Sequence, residues 1–133
     1  MTDFDVQSIA IEAPAGRAFD FIADPRNLPK WTHAFKEADR SSATMQTPQG
    51  SVRIGLAVRS SREAGTVDWE LAFPDGGRGL AHSRVVPNGE ARAIYSFVLK
   101  APPVAQERIE GALAEQRRIL AGELARLKEI LES

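Results

Sequence analysis

Two histidines, one tyrosine and no cysteine bound the proton chemistry open to this chain. His33 lies just after Trp31, and an imidazole there can act as a general acid or base at neutral pH. The alternative is an exposed histidine with no task. Tyr95 carries a hydroxyl that needs a partner if it is buried. It can orient a carbonyl or give up a proton, or it can simply bond Ser83, Gln116 or a water within a core. Gln116 and Glu123 are odder, because they share a helical row with Ile109 and Ile130 inside a stripe of leucines. An unpaired carboxylate against a packed core is very costly. The pair therefore points to a helix face that looks into a polar or water-containing cavity. The competing reading turns Glu123 outward to Arg126 and bonds Gln116 to sheet backbone.

Other chemistries fail on residue type or spacing. Without cysteine there are no disulfides, thiol nucleophiles or zinc–thiolate sites. No His/Asp/Glu cluster has metal-ligand spacing, so neither a metal nor a cofactor is expected. Gly76-Gly77-Arg78-Gly79 falls in a hairpin and not between a strand and a helix, which argues against a phosphate cradle. No serine sits in a nucleophile elbow.

The element that must position these residues is the last stretch, Ala105 to Ser133. Ile109, Leu113, Leu120, Leu124, Leu127 and Leu131 recur at helical spacing, widened by Ala112, Ile119 and Ile130. Pro102 and Pro103 end the preceding strand, and Pro103 can open the helix. At 1.5 Å per residue the helix would run roughly 40 Å, enough to cross a small domain. Gly111 and Gly122 fall on its opposite face, where each costs ~1 kcal/mol relative to alanine.

Before it comes a different pattern. Phe4 to Glu12 reads as a strand, and Pro14 opens a helix whose apolar face is Ala15, Ala18, Phe19 and Ile22. Asp24-Pro25 stops that helix. Asn27 then caps a short helical turn, Leu28-Pro29-Lys30-Trp31. Strands follow as far as Lys100.

Three loops of one type join them: Pro48-Gln49-Gly50, Pro74-Asp75-Gly76 and Pro87-Asn88-Gly89. Each would pair the residue before the proline with the one after the glycine, and strand parity then propagates. Phe73 pairs with Gly77, setting Trp69 opposite Ala81 and Val67 opposite Ser83. Val86 pairs with Glu90, setting Ala81 opposite Tyr95 and Ser83 opposite Ala93. One face thus carries Val67, Trp69, Leu71, Phe73, Ala81, Ser83, Val85, Ala93, Tyr95, Phe97 and Leu99, and it goes inward. His82 lies on the other face across from Asp68, a cross-strand charge pair worth under about 1 kcal/mol. Val52, Ile54, Leu56 and Val58 should also face in. If Thr47 pairs with Ser51, then Thr44 and Gln46 share that inner face and Met45 points out, giving a polar inner edge. A register slip is the alternative.

The chain has 133 residues, 43% of them hydrophobic and 26% charged, as expected of one soluble globular domain over 1–133. The net charge of -1 is interspersed and leaves no basic stripe, so a nucleic-acid partner is not expected. Apolar runs are too short to span a bilayer, and the first residues are acidic where a signal peptide would be basic. A cytoplasmic address without integral membrane association is the expectation, as monomer or homodimer.

The order of elements, with Ile11-Glu12-Ala13-Pro14, Phe19, Phe21-Ile22-Ala23-Asp24-Pro25, Leu28-Pro29-Lys30-Trp31, Tyr95-Ser96-Phe97 and the terminal helix, resembles the START-like (SRPBCC) superfamily. It is most similar to the bacterial polyketide cyclase/dehydrase-like members, and the likeness covers nearly the whole chain. The resemblance implies an α+β helix-grip fold. In it a curved antiparallel sheet of about six or seven strands wraps the long C-terminal helix, and two short helices follow strand 1. It also implies an apolar tunnel for a lipid, steroid, polyketide or similar ligand. Trp31 would stand at its entrance, Trp69, Tyr95 and Phe97 on its sheet wall, and Gln116 and Glu123 on its helix wall. The expected ligand-binding set is Trp31, His33, Ile54, Leu56, Trp69, Leu71, Tyr95, Phe97, Gln116, Leu120 and Glu123. Three functions follow as expectations: a binder of a small hydrophobic molecule, a cyclase or dehydratase-like enzyme using Tyr95, Glu123 or His33, and an interaction module with no true cavity. No catalytic constellation is readable, so whether the chain is an enzyme stays open.

Overall fold

The computed structural model describes residues 4–47, 50–100 and 106–133, and their side chains except at 47 and 106–113. Strand β1 (Phe4–Ile11) leads into α1 (Ala15–Ala23), a 3-10 turn (Pro25–Asn27) and α2 (Leu28–Trp31). Six strands follow: β2 (Phe35–Ala38), β3 (Ser42–Thr47), β4 (Gly50–Ser61), β5 (Thr66–Ala72), β6 (Arg78–Pro87) and β7 (Ala93–Lys100). Helix α3 (Gln106–Glu132) closes the chain. The seven strands form one antiparallel sheet in the order β1-β7-β6-β5-β4-β3-β2. This is the expected helix-grip arrangement, and β2 is the short strand that the apolar pattern leaves hardest to see.

Helix α1 forms where Pro14 presets the entering backbone and Ala18, Phe19 and Ile22 bury one face. It ends at Asp24, whose carboxylate accepts the Arg26 N–H at 3.0 Å and pairs with the Arg26 guanidinium at 2.8 Å. Asn27 does not cap α2 as expected. Its Nδ2 donates back to the Phe21 carbonyl at 3.0 Å, tying the 3-10 turn to the end of α1.

The β5–β6 turn has the expected form: Gly77 O accepts the Phe73 N–H, and Trp69 and Val67 face Ala81 and Ser83. The β6–β7 loop is longer. Its last ladder pair is Pro87 with Ala93, and Asn88 N–H donates to Arg92 O at 2.9 Å. Tyr95 therefore faces Val85 and not Ala81, and Ser83 faces Phe97 and not Ala93. From Ala81 to Val85 is an even number of residues, so the inner face keeps its expected members.

The third register is different in kind. Thr47 pairs with Gly50 and not with Ser51, a slip of one residue that exchanges the faces of β3. Ala43 is buried and Met45 packs against the core. Thr44 accepts from Arg53 at 2.9 Å, and Gln46 accepts from Ser51 at 3.2 Å, both on exposed bonds. The expected polar inner edge is replaced by an apolar one. Pro48 and Gln49 lie outside the described residues.

Leu120, Leu124, Leu127 and Leu131 of α3 are buried in a core shared with Ile11, Ile22, Val67 and Val85. The upstream members of the stripe, Ile109, Ala112 and Leu113, lie outside the described side chains, as do Pro102, Pro103 and Gly111. Gly122 is exposed with open space around it. The helix also seals the β1 edge: Lys128 Nζ donates to Ala10 O at 2.8 Å, Gln7 Nε2 to Arg117 O at 3.1 Å, and Glu132 accepts the Glu12 N–H at 2.8 Å. Among the described residues no helix is long and apolar enough to cross a membrane.

Candidate functional site

Between the inner face of the sheet and the helices lie two adjoining spaces. The smaller, about 110 Å³, is lined by Leu28, Trp31, Thr32, Phe35, Trp69, Leu71, Ala81, Phe97 and Glu123. The larger, about 490 Å³, continues past Leu71, Ala81 and Phe97 to Met45, Phe73, Leu99 and Gln116, with exposed Arg78 and Lys100 among its lining. The walls are apolar because β-strand alternation sends Trp69, Leu71, Ala81 and Phe97 to one side. Space remains because alanine, not a larger residue, stands across from Trp69.

An aromatic chain runs along this wall. Trp31 meets Tyr95 edge-on at 6.4 Å, Tyr95 meets Phe97 edge-on at 6.5 Å, and Phe97 stacks on Trp69 at 5.9 Å. Trp31 comes from α2, Trp69 from β5, and Tyr95 and Phe97 from β7, so three elements must be in register to assemble it.

Polar atoms are few here and poorly satisfied. Trp31 Nε1, Trp69 Nε1, Tyr95 Oη and Gln116 Oε1 are buried with no hydrogen-bond partner among the described residues. An indole N–H is a donor only and has one use. Buried polar groups are normally paired, and an unpaired one costs about 1–3 kcal/mol. Ser83 Oγ gives its hydrogen to Val67 O at 2.6 Å, and the same hydroxyl partly opposes the effect of burial on Tyr95. Burial pushes the Tyr95 hydroxyl well above the ordinary tyrosine range, so it stays protonated.

Glu123 sits at the junction between this cavity and an outer groove. Its carboxylate accepts the His33 backbone N–H at 2.7 Å, pinning the residues after α2 to α3. Burial raises its pKa, opposed by that hydrogen bond and by the nearby imidazole. The expected partner Arg126 instead donates to Lys30 O at 3.1 Å. The groove, about 430 Å³, shares Trp31, Thr32 and Glu123 with the cavity and adds His33, Arg118, Gly122 and Arg126.

A pH effect follows from Glu123. Its folded-state pKa lies above its unfolded one, so stability is full at low pH and falls as pH rises through the folded value. Glu123→Gln keeps an oxygen for the His33 N–H and removes the charge. Its melting temperature should exceed that of the parent by a few degrees at about pH 7.5 and match it at about pH 4. Equal differences at both pH values in a thermal scan would refute this.

The structure brings together Trp31, Trp69, Leu71, Phe97 and Glu123 around the small space, with Gln116 on the larger one. His33 borders only the groove; its side chain is exposed, and its backbone is what touches Glu123. Ile54, Leu56, Tyr95 and Leu120 sit in the packed core and border neither space. His82 lies outside, 3.3 Å from Asp68. Sequence reasoning missed Leu28, Thr32 and Phe35 as lining, and Ala81 was visible only as the small residue opposite Trp69. A separate pocket of about 230 Å³ lies beneath the β4–β5 turn, but its arginines are engaged, Arg62 with Asp20 and Arg84 with Ala64 O.

Solved structures share this architecture. A START superfamily protein from Mycobacterium smegmatis is 16% identical, with a TM-score of 0.69 over 97% of this chain and 99% of that one. CV1439 from Chromobacterium violaceum is 14% identical, with a TM-score of 0.71 over 99% of both chains. The di-domain ARO/CYC BexL from the BE-7585A biosynthetic pathway is 17% identical, with a TM-score of 0.69; the match covers 96% of this chain and 46% of BexL. At such identities the likeness is one of fold. No curated protein matches the chain in sequence. The sequence profile of one family, described as polyketide cyclase / dehydrase and lipid transport, matches residues 5–132. With nearly its whole length matched, the chain belongs to the polyketide cyclase / dehydrase and lipid transport family.

Proposed function

We propose that the chain binds a small, mostly apolar molecule in the space between its sheet and α3. The observation that carries this is the unfilled apolar hollow behind the aromatic wall, with Trp31, Trp69, Leu71, Ala81 and Phe97 on its surface. The larger space falls within the roughly 300–1,000 Å³ of ordinary ligand pockets, and the smaller one extends it inward. The family's description, with its mention of lipid transport, supports the same reading.

A second reading rests on Glu123. A carboxyl whose pKa burial raises, standing at a cavity wall, is a candidate proton donor, and the family description includes cyclases and dehydrases. Among the described residues, however, Glu123 is the only titratable side chain lining the small space. Acid–base chemistry on a carbon skeleton usually needs a second group, so binding is favoured.

The test uses both tryptophans, the only two in the chain, since each borders the cavity. Naphthalene added to the ¹⁵N-labelled chain should shift both indole N–H resonances in a saturable manner. Native mass spectrometry of chain purified without detergent should show a co-purified small molecule. Unmoved indole signals together with a bare mass would end the ligand reading.

A further inference from the structure

Among the described residues, five large apolar side chains are well exposed. Phe4, Val6 and Leu80 are 54%, 52% and 48% exposed, and Val86 and Ile94 are 36% each. All five project from one place, the outer face of β1, β7 and β6, which lie side by side at one edge of the sheet. The register sets them in rows: Phe4 stands beside Lys100, Val6 beside Val98 and His82, and Ile94 beside Val86. Leu80 is the next outward residue of β6 before His82. The solvated side of an antiparallel sheet is normally polar. On the neighbouring β4 and β5 it is, carrying Arg59, Asp68 and Glu70.

The same three strands hold an unbalanced charge. Arg78, Arg84 and Lys100 point outward and are exposed, and none of them makes an ion pair among the described residues. The one bond of the Arg84 guanidinium is to a neutral acceptor, Ala64 O, at 2.9 Å. No Asp or Glu projects from the outer face of these strands. On β5, Asp68 and Glu70 are occupied by His82 at 3.3 Å and Arg59 at 3.1 Å. The whole chain carries a net charge of -1, so folding gathers a positive, apolar face on a slightly acidic molecule.

We propose that this outer face is a docking surface for an anionic lipid bilayer. Apolar side chains flanked by cations suit such a surface: the first enter the boundary below the head groups, and the second meet phosphate. A second copy of the chain fits less well. Face-to-face packing would set Arg78, Arg84 and Lys100 against their own copies with no carboxylate on these strands to answer them. A nucleic-acid duplex would use the cations and leave the apolar residues idle. The face also adjoins the cavity, since Arg78, Leu80 and Lys100 border the 490 Å³ space, so a docked chain has that opening at the lipid boundary. The proposal concerns the outside of the sheet and does not rest on the ligand-binding reading.

Vesicle flotation tests it. Vesicles of equal parts phosphatidylcholine and phosphatidylglycerol should carry the parent chain, and phosphatidylcholine alone should carry at least about tenfold less. Arg78→Ser with Lys100→Ser should weaken partitioning to the mixed vesicles about thirtyfold, the equivalent of ~2 kcal/mol for two cations. Phe4→Ser with Leu80→Ser should weaken it about tenfold. Arg17→Ser with Lys36→Ser removes the same charge from exposed sites on α1 and β2, and should change it by less than about threefold. Circular dichroism of each variant confirms the fold. No flotation with the mixed vesicles, or equal losses in the two charge variants, overturns the docking face. So does preference for a short DNA duplex over the vesicles. A parent dimer in analytical ultracentrifugation that the Phe4 and Leu80 substitutions dissociate also overturns it, and makes a second copy the occupant.

Discussion

Ala81→Phe should abolish naphthalene binding without unfolding the protein. Ala81 projects from the inner face of β6 opposite Trp69 and lines both the 110 Å³ and the 490 Å³ spaces. A phenyl ring added there enters the junction that a ligand must occupy. It does so from a strand position where aromatic residues are favoured. Its neighbours are Leu71 and Phe97, so the ring gains dispersion contacts where the parent has void. Overpacking of a filled core costs about 1–3 kcal/mol, but this position borders empty volume and the cost should fall at the low end of that range. The expected result is a loss of at least about thirtyfold in naphthalene affinity, equivalent to about 2 kcal/mol. The circular dichroism spectrum should be unchanged and the melting temperature within a few degrees. A folded variant that binds naphthalene like the parent would place the ligand elsewhere. The 430 Å³ groove by Gly122 would then be the next site to fill.

The residues that make the fold legible are those with one physical job. Leu120, Leu124, Leu127 and Leu131 recur at helical spacing because only one face of α3 meets the core, and all four are buried. The Pro74-Asp75-Gly76 turn announces its own geometry, and from it follow Trp69 opposite Ala81 and the inward aromatic face. Where a loop has freedom, the reading weakens. Pro87-Asn88-Gly89 has the same composition, yet the ladder stops at Pro87 and Ala93. Parity survives there because the displacement is even. At Thr47 and Gly50 it is odd, so Met45 and Thr44 exchange faces and the expected polar rim vanishes.

The candidate site was legible in its aromatic members and in Glu123, for different reasons. Trp69 and Phe97 follow from strand parity, and Glu123 from being a carboxylate among leucines. Tyr95, Ile54, Leu56 and Leu120 share the same inward face as the cavity residues, and no pattern in the chain separates a wall residue from one packed behind it. That distinction depends on how closely α3 approaches each row of the sheet. Phe35 was invisible because β2 is four residues long and has a register shift between Phe35 and Glu37, too little for alternation to show. The partner of Glu123 was equally hidden: it is the backbone N–H of His33, and backbone donors carry no signature in the sequence.

Gly65→Ala should be the most damaging small substitution in the described chain, and a second glycine shows why. Gly65 ends the turn between β4 and β5 with φ of +78°, and Gly89 lies in the β6–β7 loop with φ of +84°. Each glycine therefore occupies a left-handed conformation that costs an alanine about 1–2 kcal/mol. At Gly89 that is the whole cost, because a Cβ would meet nothing within 4 Å. At Gly65 the Cβ would lie 2.1 Å from the backbone oxygen of Val85. No side-chain rotation relieves a clash with a carbonyl. The close approach exists because Val85 N–H donates to Gly65 O at 2.8 Å, while Gly65 N–H donates to Ser61 O at 2.7 Å. The turn is thus stitched onto the C-terminal part of β6, at buried Val85 and across from Tyr95. Relieving the clash means breaking the Val85 bond and lifting the turn off the strand that holds the aromatic wall. Gly65→Ala should lose more than about 3 kcal/mol, a large share of the 5–15 kcal/mol typical of a domain, and its melting temperature should fall by roughly 10–20 °C. Gly89→Ala, measured in the same denaturant series, should lose about 1–2 kcal/mol. Near-equal losses in the two variants would show that the β4–β5 turn does not hold β6 in this way.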